Sequence, residues 1–257
     1  VDDMGNPGAW DLAHTPHLSV MGKTGTGKSS VTRVMVLQAL LDGWQVVICD
    51  PMKHAADFDR WAKRLTVAWA VSMEDAEAAV GWVHERMMER SRLNAKHGVG
   101  HVNDLPEGVR PKRILLVFDE FNSYLAGMDD KTIANPTNDM DIANRNADTK
   151  NRVRSITVTA GRMADIAVQG RSLGVHMVLG SQRLSRDDMR KVPNVNAFYR
   201  SLGRFLLGSD SLAGVVSQTR LKEANRMQKG LAGVDGVPAG RGVYEDVQGA
   251  LTAVQSY

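Results

Sequence analysis

The chain has 257 residues, 43% of them hydrophobic and 24% charged, enough for one large α/β domain or two small ones and too apolar for wholesale disorder. A single cysteine, Cys49, rules out an internal disulfide and a multi-cysteine metal site and suits a reducing compartment. No apolar run approaches the roughly 18 residues of a membrane span, no signal peptide is visible, and a formal charge of +3 says little about a polyanionic partner until its distribution is known.

In chain order, residues 1–14 hold Gly5, Pro7 and Gly8 without periodicity and read as an arm or linker, leaving 15–257 as the folded domain. Thr15-Pro16 introduces a short apolar strand, His17-Leu18-Ser19-Val20-Met21. Gly22-Lys23-Thr24-Gly25-Thr26-Gly27-Lys28-Ser29 follows and fits the phosphate-loop pattern G-x-x-x-x-G-K-[ST] without a mismatch. From Ser30 to Leu41, apolar residues at Val31, Val34, Met35, Leu37, Leu40 and Leu41 have helical spacing, and Asp42-Gly43 closes the helix. Strand, glycine-rich turn and helix are the context that separates a working phosphate loop from a plain turn.

Gln45 to Asp50 is a buried-strand run stopped by Pro51, and Ala55–Leu65 has a helical look. Thr66–Ala70 reads as another strand. Ser72, with Asp75 three residues on, opens a long helix that runs to about His97 and stops at Gly98. Residues 98–111, with three glycines and two prolines, form a loop. Arg113–Glu120 is the strongest strand and ends in two acids. The asparagine-rich tract 122–148 is expected to be only partly helical, and helical spacing returns over Asn151–Leu173. Val175–Gln182 is a further buried strand, and the tail from Ala197 carries shorter strands and one or two helices. Strands alternating with helices at this rhythm predict an α/β fold, a doubly wound and mostly parallel sheet flanked by helices, with ligands outside the carboxyl ends of its strands.

The chemistry concentrates at those ends. Glycines in the loop let backbone N–H groups of Gly22 to Ser30 surround phosphate oxygens, aided by the positive helix start. Lys28 reaches the β- and γ-phosphates, and the Ser29 hydroxyl completes a Mg²⁺ shell. Asp119, closing an apolar strand, fits a second Mg²⁺ contact, and Glu120 beside it fits a general base for the attacking water; a helix N-cap is the bland alternative for such a pair. Gln182 either senses the γ-phosphate or caps the next turn. A guanine-reading N-K-x-D pattern is missing from the sequence, which favours ATP over GTP as the nucleotide. His97 and His101 are four apart, but Gly98 and Gly100 break any helix that would align them on a metal.

Several segments together resemble the FtsK/SpoIIIE motor domain of the HerA/FtsK branch of P-loop ATPases. They are Asp11-Leu12-Ala13 with Pro16-His17-Leu18, GKTGTGKSS over 22–30, ICDPMK at 48–53, WVHERMMERSRLNAKHGV at 82–99, VFDEF at 117–121 and GRSLGVHMVLGSQRL at 170–184. The resemblance spans about residues 11–210 in order. It implies a RecA-like ATPase that assembles as a homo-hexamer, binds ATP and Mg²⁺, and pumps double-stranded DNA in the cytoplasm. It also implies a trans arginine on the long helix, for which Arg90 is the candidate and Arg86 and Arg92 the substitutes, a surface salt bridge being the alternative. Type VII secretion ATPases share the SQRL ending and move proteins, so a protein cargo is an alternative; a P-loop kinase is a third reading, disfavoured by Glu120.

The segment after Pro193 is shorter than the usual translocase version. With no winged-helix domain after Tyr257 and no membrane region before Val1 in this sequence, a plasmid-, phage- or mobile-element-encoded relative fits at least as well as a full-length division translocase, with any membrane tether in segments outside it. Basic residues cluster where a DNA-facing loop is expected, at Lys150, Arg152 and Arg154 and again at Arg183, Arg186, Arg190 and Lys191. Phosphate contacts of this kind give affinity without sequence choice; a solvated face is the alternative.

Overall fold

The computed structural model describes residues 10–58, 60–136, 139–233 and 236–256, with the side chains of residues 60 and 61 left aside. Its centre is an eight-stranded sheet in the order β3-β2-β4-β5-β1-β6-β7-β8. The strands are β1 (His17–Met21), β2 (Gln45–Cys49), β3 (Ala68–Ala70), β4 (Ile114–Phe118), β5 (Val175–Ser181), β6 (Leu202–Leu207), β7 (Arg241–Glu245) and β8 (Leu251–Gln255). The first six run parallel, and β7 and β8 extend the edge antiparallel. Strands β1, β4 and β5 are buried along their whole length. Unbroken apolar runs are what a parallel strand covered on both faces requires.

Two hydrophobic layers cover the two faces. Helix α1 (Lys28–Leu41) lies on one, where Val31, Val36 and Ala39 pack with Leu18, Val20, Ile48 and Val117. On the other, α3 (Met73–His97) and α5 (Met140–Gln169) pack together over Val47, Leu116, Phe118, Met177 and Leu179. The cap of α3 is as the sequence predicts: Ser72 accepts from the Asp75 N–H at 3.0 Å, and Gly98 ends the helix with a φ of 67°. Short helices α2 (Arg60–Leu65), α4 (Phe121–Ala126), α6 (Val195–Arg200) and α7 (Leu221–Gly230) complete the chain. Among the described residues no helix is long and apolar enough to cross a membrane.

The fold differs from sequence expectation in four places. The helix expected over Ala55–Leu65 is only α2; residues 51–57 form turns because the carboxylate of Asp50 captures the backbone N–H groups of Lys53 and Ala55, each at 2.9 Å. Strand β3 is two residues shorter than expected at its start. Helix α5 begins at Met140, capped by Asp139, and not near Asn151. Its first half, up to Ser155, has no buried residue, so it shows no apolar stripe to read. Of the expected arm, residues 1–9 lie outside the described residues. Trp10 is half-buried, donates to the Thr15 carbonyl at 2.7 Å and packs against the sheet layer of α1.

Two histidines are sealed between β1 and β5. His17 accepts from the Met177 N–H at 3.1 Å, and His176 bonds the Pro16 carbonyl at 3.0 Å. Burial, and secondarily the charge of His176, pushes His17 from 6.5 down to about 3. Burial likewise pushes His176 down to about 4, against the pull of the Pro16 carbonyl. The unfolded chain takes up these protons below 6.5 while the fold refuses them, so the stability they confer is complete above that pH and is lost as pH falls. Between pH 6.5 and 5 the urea-unfolding free energy should decline by up to about 1.4 kcal/mol per pH unit for each histidine. His176→Asn should flatten that decline; an identical pH dependence in the variant would assign it to other groups.

Candidate functional site

The phosphate loop joins β1 to α1 at the sheet's topological switch: β1 lies between β5 and β6, and the chain crosses β5 and β4 to reach β2. That crevice, at the carboxyl ends of the strands, is where open α/β sheets bind ligands. Gly27, the N-cap of α1, has a φ of 94°, and a Cβ on it would lie 2.5 Å from the Gly240 nitrogen. Gly240 N–H in turn donates to the Thr26 carbonyl at 2.7 Å, so the C-terminal strands brace the loop from outside. No side chain caps α1, which leaves its first-turn N–H groups directed at the crevice.

Of the expected loop residues, Lys23, Thr24 and Gly25 are exposed at the tip, Thr26, Gly27 and Ser29 are half-buried, and Ser30 is exposed. Gly22 is buried and donates to the Ser181 carbonyl at 3.3 Å. Lys23 pairs with Asp210 at 2.6 Å. Lys28 is 7% exposed, and its Nζ meets Glu120 Oε1 at 2.8 Å and Asp119 Oδ1 at 3.6 Å. The structure thus brings Lys28, Asp119 and Glu120 together from two strand ends. Glu120 has a φ of 50° and is the N-cap residue of α4, yet its side chain makes no cap bond. The carboxylate points to the lysines instead, so the cap alternative falls away. Burial raises the Glu120 carboxyl, but the bonds from Lys28 and Lys53 outweigh it and hold the group below its ordinary value.

Lys53, Asp57 and Gly180 belong to this site and were missed in the sequence. Lys53 Nζ lies 2.9 Å from Glu120 Oε1 and 3.9 Å from Asp119 Oδ2, and it reaches Asp57 at 3.2 Å. Burial raises the Asp57 carboxyl, but Lys53 outweighs it and holds the group below its ordinary value. Gly180 on β5 lies against Asp119: a Cβ there would be 2.0 Å from Asp119 Oδ1, so any other residue would evict the carboxylate. The DPMK turn within ICDPMK was the available signal for Lys53; nothing local marks the other two. Gln182 sits exposed one residue past β5, beside the loop because Ser181 pairs with Met21.

Arg90 is corrected. It is 5% exposed, and its guanidinium donates to the carbonyls of Leu173 at 2.8 Å, Gly174 at 2.9 Å and Lys112 at 2.5 Å. It ties α3 to the chain entering β4 and β5. Arg86 pairs with Glu89 at 2.7 Å, and Arg92 is exposed.

Each basic cluster sends one residue to the turn after α4. Lys191 pairs with Asp129, and Arg152 pairs with Asp130 at 2.5 Å. Arg183 donates to the Ala213 carbonyl at 2.6 Å, and Arg186 bonds Asn196. Lys150, Arg154 and Arg190 are exposed and, among the described residues, make no ion pair. An open groove of about 570 Å³ runs between α5 and the turn, lined by Lys150, Arg154, Thr149, Asp130, Thr132 and the previously unmarked Lys131.

A mostly parallel α/β sheet with a phosphate loop after its central strand and an acid pair at the end of β4 defines a P-loop NTPase. The chain belongs to the FtsK/SpoIIIE family, whose profile matches residues 1–186. It is 26% identical over 202 residues to the DNA translocase FtsK of Pseudomonas syringae pv. syringae (strain B728a), covering 71% of this chain and 24% of that protein. DNA translocase FtsK 2 of Ralstonia nicotianae is 27% identical over 205 residues, covering 72% and 24%. The chain therefore spans about a quarter of the length of these relatives. Among solved structures, the pCW3 conjugation coupling protein TcpA, a monomer with ATPγS, superposes with a TM-score of 0.72 at 20% identity, over 96% of this chain and 62% of that one. The cytoplasmic domain of the type VII secretion ATPase EccC of Thermomonospora curvata gives 0.65 at 20%, over 100% and 28%. These likenesses establish the fold.

Arg90→Ala should cost about 3 kcal/mol of unfolding free energy, because three buried carbonyls lose their donor. Urea denaturation checks this; a loss below about 0.5 kcal/mol would mean that the arginine is not structurally committed.

Proposed function

We propose that this chain is an ATP-hydrolysing motor unit that moves double-stranded DNA, working in a homo-hexameric ring in the cytoplasm. The observation that carries the hydrolytic part is the contact of Lys28 and Lys53 with the buried carboxylate of Glu120. A phosphate loop alone binds nucleotide; an ionised carboxylate held beside the γ-phosphate position can take a proton from water, which a kinase site does not need. The site offers the hard oxygens that Mg²⁺ prefers, the Ser29 hydroxyl and the Asp119 carboxylate. Among the described residues no group of three His, Cys, Asp or Glu side chains is placed to hold a metal ion. Bound there, Mg²⁺ would neutralise charge on the β- and γ-phosphates.

In the proposed cycle the N–H groups of residues 22–30 receive the phosphates, and Lys28 leaves Glu120 for the β- and γ-oxygens. Glu120 then orients the water, with Gln182 exposed at the neighbouring strand end to sense the γ-phosphate. For the cargo, the convergence of Lys131, Lys150, Arg154 and Arg190 at one edge supports a polyanion over a peptide. Both segments leave the carboxyl ends of β4 and β5, the edge that carries the nucleotide site. An exposed apolar stripe on α1, Val34, Leu37 and Leu41, supports a protein neighbour in a ring.

The deciding measurement is the ATPase rate with and without long duplex DNA. A severalfold rise with DNA supports the proposal; no hydrolysis defeats it, and stimulation by a secreted peptide but not DNA would move the cargo to protein. Glu120→Gln should keep ATP bound and lower kcat at least about 100-fold; near-normal turnover would place the base elsewhere. Neutralising Lys131, Lys150, Arg154 and Arg190 should weaken binding to all duplex sequences alike. It should also flatten the plot of log affinity against log salt by roughly one unit for each phosphate no longer neutralised. An unchanged slope would remove this edge from the DNA path.

A further inference from the structure

Lys53 lies outside the phosphate-loop pattern, yet it enters the same crevice from the opposite side. Its backbone is held by Asp50, which is fully buried and accepts from the Lys53 and Ala55 N–H groups. The next two residues, His54 and Ala55, both have a φ of 55°. Consecutive left-handed residues that are not glycine persist only where surrounding structure imposes them. Here the imposed turn directs the Lys53 side chain back across the end of β2 to the end of β4. Its ammonium lies 2.9 Å from Glu120 Oε1, the oxygen that Lys28 holds at 2.8 Å.

Both lysines cannot keep that oxygen once nucleotide enters. Lys28 stands on the phosphate loop and is the cation within reach of the β- and γ-phosphates. Lys53 is anchored by a separate turn, with Asp57 at 3.2 Å and Asp119 at 3.9 Å as further partners. We propose that Lys53 is a positioning residue for hydrolysis: it keeps Glu120 Oε1 fixed after Lys28 has moved to the phosphates, leaving Oε2 to receive the proton of the attacking water. Ser123 Oγ, 3.5 Å from Oε2, is the other group at that end. Without Lys53 the freed carboxylate would swing between rotamers, and the water would lose its orientation. The inference rests on the reading of the chain as an ATPase with Glu120 as base.

The full chain is assayed with ATP and Mg²⁺ as the parent, as Lys53→Met and as Lys53→Cys before and after treatment with 2-bromoethylamine. That reagent joins the thiol sulfur to an aminoethyl group, releases bromide and proton, and rebuilds an ammonium of nearly lysine reach. Cys49, the single native cysteine, is fully buried and its thiol is held well above the ordinary range, so it stays unmodified. Expected is a fall in kcat of about 100-fold in Lys53→Met with ATP affinity within about threefold, and recovery of at least about tenfold when Lys53→Cys is alkylated. The inference is overturned if kcat of Lys53→Met stays within threefold of the parent. It is equally overturned if ATP affinity falls as far as in Lys28→Ala, which would make Lys53 a phosphate ligand, or if the alkylated protein stays as slow as its precursor. A parent chain that does not hydrolyse ATP would instead defeat the ATPase reading itself.

Discussion

Two lysines and two carboxylates share one buried space at the carboxyl ends of β1, β2 and β4, and the rest of the site depends on how they are balanced. Lys28, Asp119 and Glu120 are each less than 10% exposed. A charge taken out of water costs several kcal/mol unless it is paired, so none of the three is stable there alone. Lys53, at 40% side-chain exposure, supplies the second positive charge and opens the cluster to solvent on one side. Each buried charge in this arrangement has a partner of opposite sign. In the proposed cycle, incoming phosphates would compete for the lysines, and the carboxylates would then need another positive charge to stay ionised.

Backbone geometry makes the room for that balance. Asp119 fits only because Gly180 on the neighbouring strand has no side chain, and the loop keeps its curl because Gly27 lets Gly240 approach. Gly240 lies more than two hundred residues from the loop that it braces. At the same edge, Arg204 on β6 donates to Glu245 on β7 at 2.9 Å, and Glu245 also accepts from the Ser217 hydroxyl at 2.5 Å. The antiparallel strands added beyond β6 therefore hold the loop's outer wall in place. They do so through a fully buried acid that a partner on each side satisfies.

The start of α5 is built on a different principle. The first half of α5 has no fully buried residue, and side-chain amides help tie it to the segment before it. Asn146 exchanges two bonds with the backbone of Ile133, at 2.7 and 2.8 Å, and Asn135 does the same with Asp139 at 2.7 and 2.8 Å. A solvated helix fixed in this way can project basic side chains without a core beneath them, and a polyanion can approach it at small desolvation cost.

Strands β1, β2, β4 and β5, the phosphate-loop pattern, the cap and stop of α3, and the acid pair at the end of β4 were all legible in the amino-acid order. Each of these is written in contiguous residues: runs of apolar side chains, a glycine spacing, a serine three residues before an acid. Which distant groups complete the site became visible only in three dimensions. Lys53, Asp57 and Gly180 come together when β2, β4 and β5 lie side by side, since a lysine's partners and a glycine's neighbours are set by strand order and register. Arg90 shows the reverse case: a helical arginine that looks free in one dimension is consumed by three carbonyls from two other segments. Local spacing fixes a helix or a turn because its energetics lie within a few residues. Burial and ion pairing are properties of the space between segments, and that space exists only after the sheet has formed.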